Sequence, residues 1–354
     1  MKICITAGGT GGHIFPALAL ASELSDRQHD IIYIGHRDQM EATLVKAASY
    51  PFYGLSNKGL SGSVFKKIKA LYSQFGAIKE AKQILKKEKV DMVVSFGGYV
   101  TFPVCEASRQ LGIPFILHEQ NAFAGKANKA IEKHAASIII CYEHARQYFS
   151  NPKTVLLGNP RASMVKDQQL NENILKEYGL SNDKPIVYFV MGSLGSETVS
   201  TLIAQMINEV DISGLNIIIS SGTRNYHIYE NLLKKEVAVF QHIDQVSLLP
   251  HCSLVVSRAG ATSIAEIMAF GVPSILVPSP YVANNHQYFN AKACVDQGAA
   301  LMLEEKDLSI ESLSQIIKAT LHNPELLASL KQNTAVLANT DANDRIADLV
   351  EELL

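Results

Sequence analysis

Short runs of apolar, largely β-branched residues alternate with segments of helical period along nearly the whole chain. In the first half these runs are "KICIT", "DIIYIG", "DMVVSF", "PFILH", "SIIIC" and "TVLLG". Each is apolar on both faces and separated from the next by a helical pattern, which predicts buried parallel strands. "PALALASEL" shows the intervening period, with Leu18, Ala21 and Leu24 on one helix face. The pattern then restarts with "PIVYFVMGS", "LNIIIS", "EVAVFQ", "SLVVSRAG", "VPSILVP" and "GAALML". Between the two sets lies "GNPRASMVKDQQLNENIL", polar and carrying Pro160, which reads as the linker. The pattern predicts an α/β protein of two doubly wound domains, residues 1–160 and 161–335, with a C-terminal helix over 336–354 packing back towards the first domain. Ligands of such sheets bind at the carboxyl ends of the strands, so a two-domain version is expected to place its site in the cleft.

Composition narrows the class. A chain of 354 residues, 47% hydrophobic and 19% charged, has enough apolar material for two cores. A net charge of −2 gives no global attraction to nucleic acid or to an anionic surface. Cys4, Cys105, Cys141, Cys252 and Cys294 are scattered, odd in number and without a CxxC pair, the usage of a reduced compartment. The first apolar run is interrupted by Gly8 and Gly9, unlike a secretory signal, and no run approaches the roughly 18 residues of a membrane span. A cytosolic protein with at most peripheral membrane contact is expected.

The chemistry sits in loops. "AGGTGGH" places glycines, Thr10 and His13 between a strand and a helix, where backbone N–H groups gather for an anion. It is neither a P-loop, since no lysine follows, nor a dinucleotide fingerprint, since Ile14 stands where the third glycine belongs. A tight turn with His13 merely packing would also fit. "FVMGSLGSE" and "SRAGATSIAE" repeat the strand–glycine–helix arrangement in the second half, and Ser263 with Glu266 has the spacing of a capping box. "SFGGYVTFP" adds Gly97 and Gly98 after another strand. "HEQNAFAGKANK" and "VANNHQYFNA" bring His118, Glu119, Gln120, Asn121, Asn284, Asn285, His286 and Gln287, which suit sugar hydroxyls or equally a surface turn. DxD, HExxH and GxSxG are all missing, so no metal site is indicated.

In this order and spacing, "GGTGGH", "GGYV", "HEQN", "GNP", "SRAGATSIAE" and "NHQYFNA" resemble the MurG family of peptidoglycan N-acetylglucosaminyltransferases, over residues 2 to about 300. The resemblance implies a GT-B fold, two Rossmann-like domains facing across a cleft. It implies an inverting transfer of N-acetylglucosamine from UDP-N-acetylglucosamine, a substrate rather than a cofactor, to lipid I, forming lipid II. By motif it gives His13 a catalytic place, as the base or as a ligand of the acceptor diphosphate. Gly9, Thr10, His13, Gly98, Tyr99 and Glu119 fall on the acceptor side. The donor side takes Thr10, Gly11, Gly12, Asn121 and Arg161 from the first half, with Ser193 near the diphosphate and Ile243 beside the uracil. Ala261, Thr262, Ser263, Ile264 and Ala265 run along the ribose and diphosphate, Glu266 matches the ribose ligand and Gln287 the sugar contact.

Two motifs depart from the family. "GNPRA" sets Arg161 one position earlier than "GNPVR", with Ala162 in the arginine's place. "MGSLGS" has Met191 and Leu194 for a glycine and a glutamine of "GGSQGA". The implied acceptor is a polyprenyl diphosphate sugar, so the resemblance also implies the cytoplasmic face of the cell membrane and cell-wall synthesis proteins as partners. Residues 58–89 carry nine lysines against two glutamates, with Val64, Phe65, Ile68, Leu71 and Phe75 interleaved at helical spacing. That pattern fits an interfacial helix, and equally a helix packed on the core with a solvated lysine side. Other uses of such a chain are an epimerase or hydrolase of the same donor, or a non-enzymatic sugar-nucleotide-binding subunit. Both sets of motifs on one chain favour the complete transferase.

Overall fold

A computed structural model describes the chain apart from residues 57–63, 167–170, 172, 182, 193–194 and 233; of residues 64–72 it describes the backbone alone. By packing, the chain divides into one unit of Met1–Arg161 with Asp341–Leu354 and a second of Ala162–Thr340.

In the first unit the strands are β1 (Lys2–Thr6), β2 (Asp30–His36), β3 (Phe52–Leu55), β4 (Met92–Ser95), β5 (Phe115–Glu119), β6 (Ser137–Ile140) and β7 (Thr154–Leu156). They form one parallel sheet in the order β3-β2-β1-β4-β5-β6-β7. Its helices are α1 (Gly11–Asp26), α2 (Glu41–Ala47), α3 (Val64–Glu88), α4 (Thr101–Leu111) and α5 (Lys126–Ile131). The alternating apolar runs explain the arrangement, because strands buried on both faces need helices on both sides. One face packs Ile3, Ile5, Leu20, Leu24, Tyr33 and Val94 together. The other packs Cys4, Ile32, Leu85, Val93, Val104 and Leu117. The sequence pattern missed β3, whose "FYGL" is short, only half-buried and broken by Gly54.

The second unit has α6 (Ile174–Glu177), β8 (Ile186–Val190), α7 (Glu197–Glu209), β9 (Asn216–Ser220), β10 (Val237–Phe240), α8 (Gln245–Leu248), β11 (Leu254–Ser257), α9 (Ala261–Ala269), β12 (Ser274–Leu276) and α10 (His286–Val295). After them come β13 (Leu301–Met302), α11 (Ile310–Leu321) and α12 (Pro324–Leu337). The sheet is again parallel, in the order β10-β9-β8-β11-β12-β13. Its core includes Val187, Phe189, Ile203, Ile207, Ile219 and Val256. "GAALML" yields only the two-residue β13. "GNPRAS" is less open than a linker, since Pro160–Val165 winds into a 3-10 helix.

The last helix, α13 (Ala342–Glu352), belongs to the first unit and lies on α1. Ile346, Ala347 and Val350 are fully buried in the cluster that holds Leu20 and Leu24. Around that apolar seam, Arg27 bonds Asp348 at 2.6 Å and Glu351 at 3.2 Å, and Asn343 Nδ2 donates to the Ala19 carbonyl at 3.1 Å. Asp348 is largely exposed, and ion pairs of that kind contribute about 0–1 kcal/mol, so the buried seam holds the helix. Ile346→Ala is expected to cost about 2–5 kcal/mol in chemical unfolding, and Asp348→Asn less than about 1 kcal/mol. The reverse ranking would show that charge, not burial, docks α13.

Candidate functional site

In both sheets the strand order reverses once, between β1 and β4 and between β8 and β11. At such a switch point the connections leave on opposite faces and the carboxyl ends of the two strands stay uncovered. The paired strands end in step there, Thr6 opposite Ser95 and Val190 opposite Ser257. The glycine loops that stood out in the sequence are the segments leaving these four strands.

In the first unit the loop after β1 runs into α1, for which Thr10 is the N-cap residue. The Thr10 hydroxyl caps no backbone amide; its Oγ1 instead lies 3.0 Å from His13 Nδ1. This contact fixes the imidazole within the first turn. The ring lies against Gly97 in the loop after β4, where a Cβ would come within 2.8 Å of it. Gly98 packs on the Gly8 carbonyl, so the two loops interlock. Tyr99 is 59% exposed and faces Gly9, while Gly11 is buried under the Phe15 ring and Gly12 is exposed. The Arg161 guanidinium lies 5.8 Å over the Phe15 ring, within cation–π range, which carries the early arginine back to the start of α1. The Gly9 amide donates to Glu41 Oε2 at 3.3 Å, which ties this loop to α2.

The polar cluster at the end of β5 is built differently from its sequence reading. His118 is fully buried, stacked on Phe96 at 4.7 Å, and its Nε2 donates to the Gly158 carbonyl at 3.0 Å. Burial, opposed by the Gly158 bond and reinforced by the neighbouring His13, pushes its pKa down to about 4. Glu119 is 2% exposed. Its carboxylate accepts from the backbone and side chain of Asn121 at 3.2 and 3.3 Å, from Gly125 N at 2.8 Å and from Asn128 Nδ2 at 2.9 Å. Burial raises its pKa against these four donors. Glu119 is therefore the anchor of the 119–128 loop rather than an open acceptor ligand, and it is what places Asn121.

In the second unit α9 starts at Ala261 after the N-cap residue Gly260, so Ala261, Thr262 and Ser263 form its first turn. Ile264 is buried, with its amide bonded to the Gly260 carbonyl at 2.9 Å, and Ala265 is half-buried. The expected Ser263–Glu266 capping box does not form, because the true cap lies three residues earlier and no side-chain cap bond is present. Glu266 is buried in the next turn and accepts from Gln245 Nε2 at 2.6 Å, which brings the turn carrying half-buried Ile243 beside α9. Gln287, in the first turn of α10, accepts from the Ser279 amide at 2.9 Å beyond β12. Burial lowers the pKa of its neighbour His286, whose Nδ1 meets the Ala283 carbonyl at 2.9 Å. Ser193 and Leu194 lie outside the described residues.

Arg258 had no assigned role in "SRAG", yet it ties this half together. It is almost fully buried and donates to Ser196 Oγ at 2.6 Å and to the Val277 carbonyl at 3.2 Å, and it pairs with Glu305 at 2.6 Å. It thus joins the loop before α7 to the segments after β11 and β12. Glu41 and Phe15 were likewise unmarked, since neither belongs to a spacing motif. Among the described residues, no three or more His, Cys, Asp or Glu side chains gather as metal ligands.

Residues 3–140 match the glycosyltransferase family 28 N-terminal domain and residues 186–346 its C-terminal domain. A protein of Exiguobacterium sp. named UDP-N-acetylglucosamine--N-acetylmuramyl-(pentapeptide) pyrophosphoryl-undecaprenol N-acetylglucosamine transferase is 38% identical over 360 residues, covering 100% of both chains. The Bacillus subtilis protein of the same name is 35% identical over 362 residues, covering 100% of this chain and 99% of its own. The chain belongs to the MurG family. The crystal structure of Acinetobacter baumannii MurG superposes with a TM-score of 0.79 at 28% identity and 99% coverage of each chain. The fold is therefore GT-B and the protein a glycosyltransferase of peptidoglycan synthesis, as the motifs implied.

The buried histidine beside this site has a measurable consequence. Its folded pKa lies below the ordinary value of 6.5, so it adds stability above pH 6.5 that is lost as pH falls towards about 4. Glu119, with its pKa raised, acts in the opposite sense over the acid part of that window. The difference in melting temperature between the wild type and His118→Gln isolates the histidine. That difference is expected to shrink between pH 7 and pH 4.5, and a constant difference would mean that His118 already titrates normally.

Proposed function

We propose that the chain transfers N-acetylglucosamine from UDP-N-acetylglucosamine to the muramoyl 4-hydroxyl of lipid I, with inversion, forming lipid II. Relatives that match over their whole length bear the name of that activity, which supports the reading. The observation that carries the mechanism is the Thr10–His13 pair in the glycine loop at the first sheet's switch point.

The acceptor oxygen attacks the anomeric carbon, the bond from that carbon to the diphosphate breaks, and UDP leaves with the electron pair. The proton of the attacking hydroxyl goes to His13 Nε2. This assignment requires the tautomer in which Nδ1–H donates to Thr10 Oγ1, leaving the Nε2 lone pair to act as base. Charge grows on the leaving diphosphate, and fixed N–H dipoles aimed at it lower the barrier. The first turn of α9, Ala261 to Ser263, supplies such dipoles at a helix N-terminus, with the loop before α7 as the second element. Ile243 lies beside the uracil, Glu266 takes the ribose hydroxyls, and Gln287 takes the donor sugar. By motif, Thr10, Gly11, Gly12, Asn121 and Arg161 are assigned to the donor sugar, and Gly98 and Tyr99 to the acceptor.

The acceptor is lipid-linked, so the first unit works at the cytoplasmic face of the membrane. No helix among the described residues is long and apolar enough to cross a membrane. Lys58 and residues 59–63 lie outside the described residues, as do the side chains of Val64, Phe65, Lys66, Lys67, Ile68, Lys69 and Leu71. Further along α3, Phe75 is 63% exposed. It joins Ile78, Lys79, Lys82 and Lys86, and Phe102 of α4, around a groove of about 580 Å³. Apolar rings framed by lysines suit an anionic lipid surface.

UDP release is expected only when a lipid I analogue is added; release with donor alone would indicate a hydrolase or epimerase-like use of the site. His13→Ala is expected to lower kcat roughly 10²–10⁴-fold, and near-normal turnover would remove it from the chemistry. Reversing Lys79, Lys82 and Lys86 to glutamate is expected to weaken sedimentation with phosphatidylglycerol vesicles at low salt. Unchanged sedimentation would move the membrane contact elsewhere.

A further inference from the structure

The first residue of α2 carries a charge that the reaction as described does not use. Glu41 opens α2 and is 0% exposed. Its Oε1 accepts the His36 amide at the end of β2, at 2.9 Å, and its Oε2 accepts the Gly9 amide beyond β1, at 3.3 Å. One carboxylate therefore straps together the exits of two neighbouring strands. It fills a slot left open by missing side chains: a Cβ at Gly8 would lie 2.6 Å from Oε1, and one at Gly35 2.7 Å from its Cγ. Tyr33 packs alongside, with its hydroxyl donating to the Ala7 carbonyl at 3.3 Å, so the residue before the glycines is held from the same side.

Burying an ion is costly, and a carboxylate needed only to fill space would be replaced without loss by an apolar side chain. What an apolar side chain could not do is accept the Gly9 amide. That bond fixes the peptide entering Gly9, whose φ of +90° turns the chain into Thr10 and the first turn of α1. The Thr10–His13 pair hangs directly from this turn.

We propose that Glu41 is a positioning residue for the transfer reaction, setting the angle of the 8–13 loop and through it the place of the His13 imidazole. The inference rests on His13 acting as the base. The uracil, ribose and diphosphate of the donor are assigned to the second unit and only sugar contacts to the 8–13 loop, so the loss of Glu41 falls on turnover more than on donor binding.

Glu41→Gln keeps the shape but turns one accepting oxygen into an amide that faces a backbone N–H. It is expected to lower kcat by about 10–100-fold, as a displacement near 1 Å does, while KM for UDP-N-acetylglucosamine stays within about two-fold. Glu41→Asp, which keeps the charge on a shorter arm, is expected to recover part of the rate, and it serves in the same comparison if the glutamine variant does not fold. The deciding readout is a double-mutant cycle. In a His13→Ala background, the change at Glu41 is expected to add less than about two-fold, because the base it positions is gone. An equal, multiplicative loss in both backgrounds, or a wild-type kcat in Glu41→Gln, overturns the proposal. Full activity of His13→Ala alone overturns the base assignment instead, which separates the two failures.

Discussion

A parallel sheet whose strand order reverses leaves one gap that its own helices do not cover, and the glycine loops of this chain leave their strands at that gap. The constraint acts twice, at β1/β4 and at β8/β11. Backbone leaving these strands needs hydrogen-bond partners without the help of a covering helix. Glycine-rich turns meet the demand by passing straight into helix N-termini, whose amides then point into the opening. Helix N-termini of this kind favour anionic ligands.

Loops of this kind are floppy unless something stiffens them, and the chain uses buried charges for that purpose. Glu41 holds the loop after β1, Glu119 holds the segment after β5, and Arg258 holds the loop before α7. Hydrogen bonds to an ion contribute about 1.5–3 kcal/mol each, roughly twice a neutral bond, which offsets part of the desolvation of the ion. The reward is geometric. Glu41 and Arg258 join segments distant in sequence and Glu119 closes a local loop onto the end of β5, so each turn inherits the rigidity of the sheet.

Much of the fold was legible because strands buried on both faces leave uninterrupted apolar runs, and β1, β5 and β8 are of that kind. The half-buried β3 has no such run and was missed. The glycine loops were also legible, and their family resemblance set the activity. Side-chain roles were less so. Ser263 and Glu266 have capping-box spacing, but which turn caps the helix depends on where α9 begins, and Gly260 takes that place. "HEQN" reads as an exposed polar cluster, yet His118 and Glu119 face inward because β5 is central and its end is covered by the 121–128 loop. Glu41 left no trace in any spacing, since its partners Gly9 and His36 come together only once β1 and β2 pair. The guanidinium of the displaced Arg161 lies over Phe15, a contact that no motif spacing announces.

The proposed reaction divides its labour, with the donor diphosphate on the loops of the second sheet and the attacking hydroxyl served by His13. A crystal structure with UDP bound tests it most directly. The diphosphate is expected at the first turn of α9, around Ala261 to Ser263, with the uracil beside Ile243. A diphosphate seated instead on residues 9–13, against His13, would contradict it.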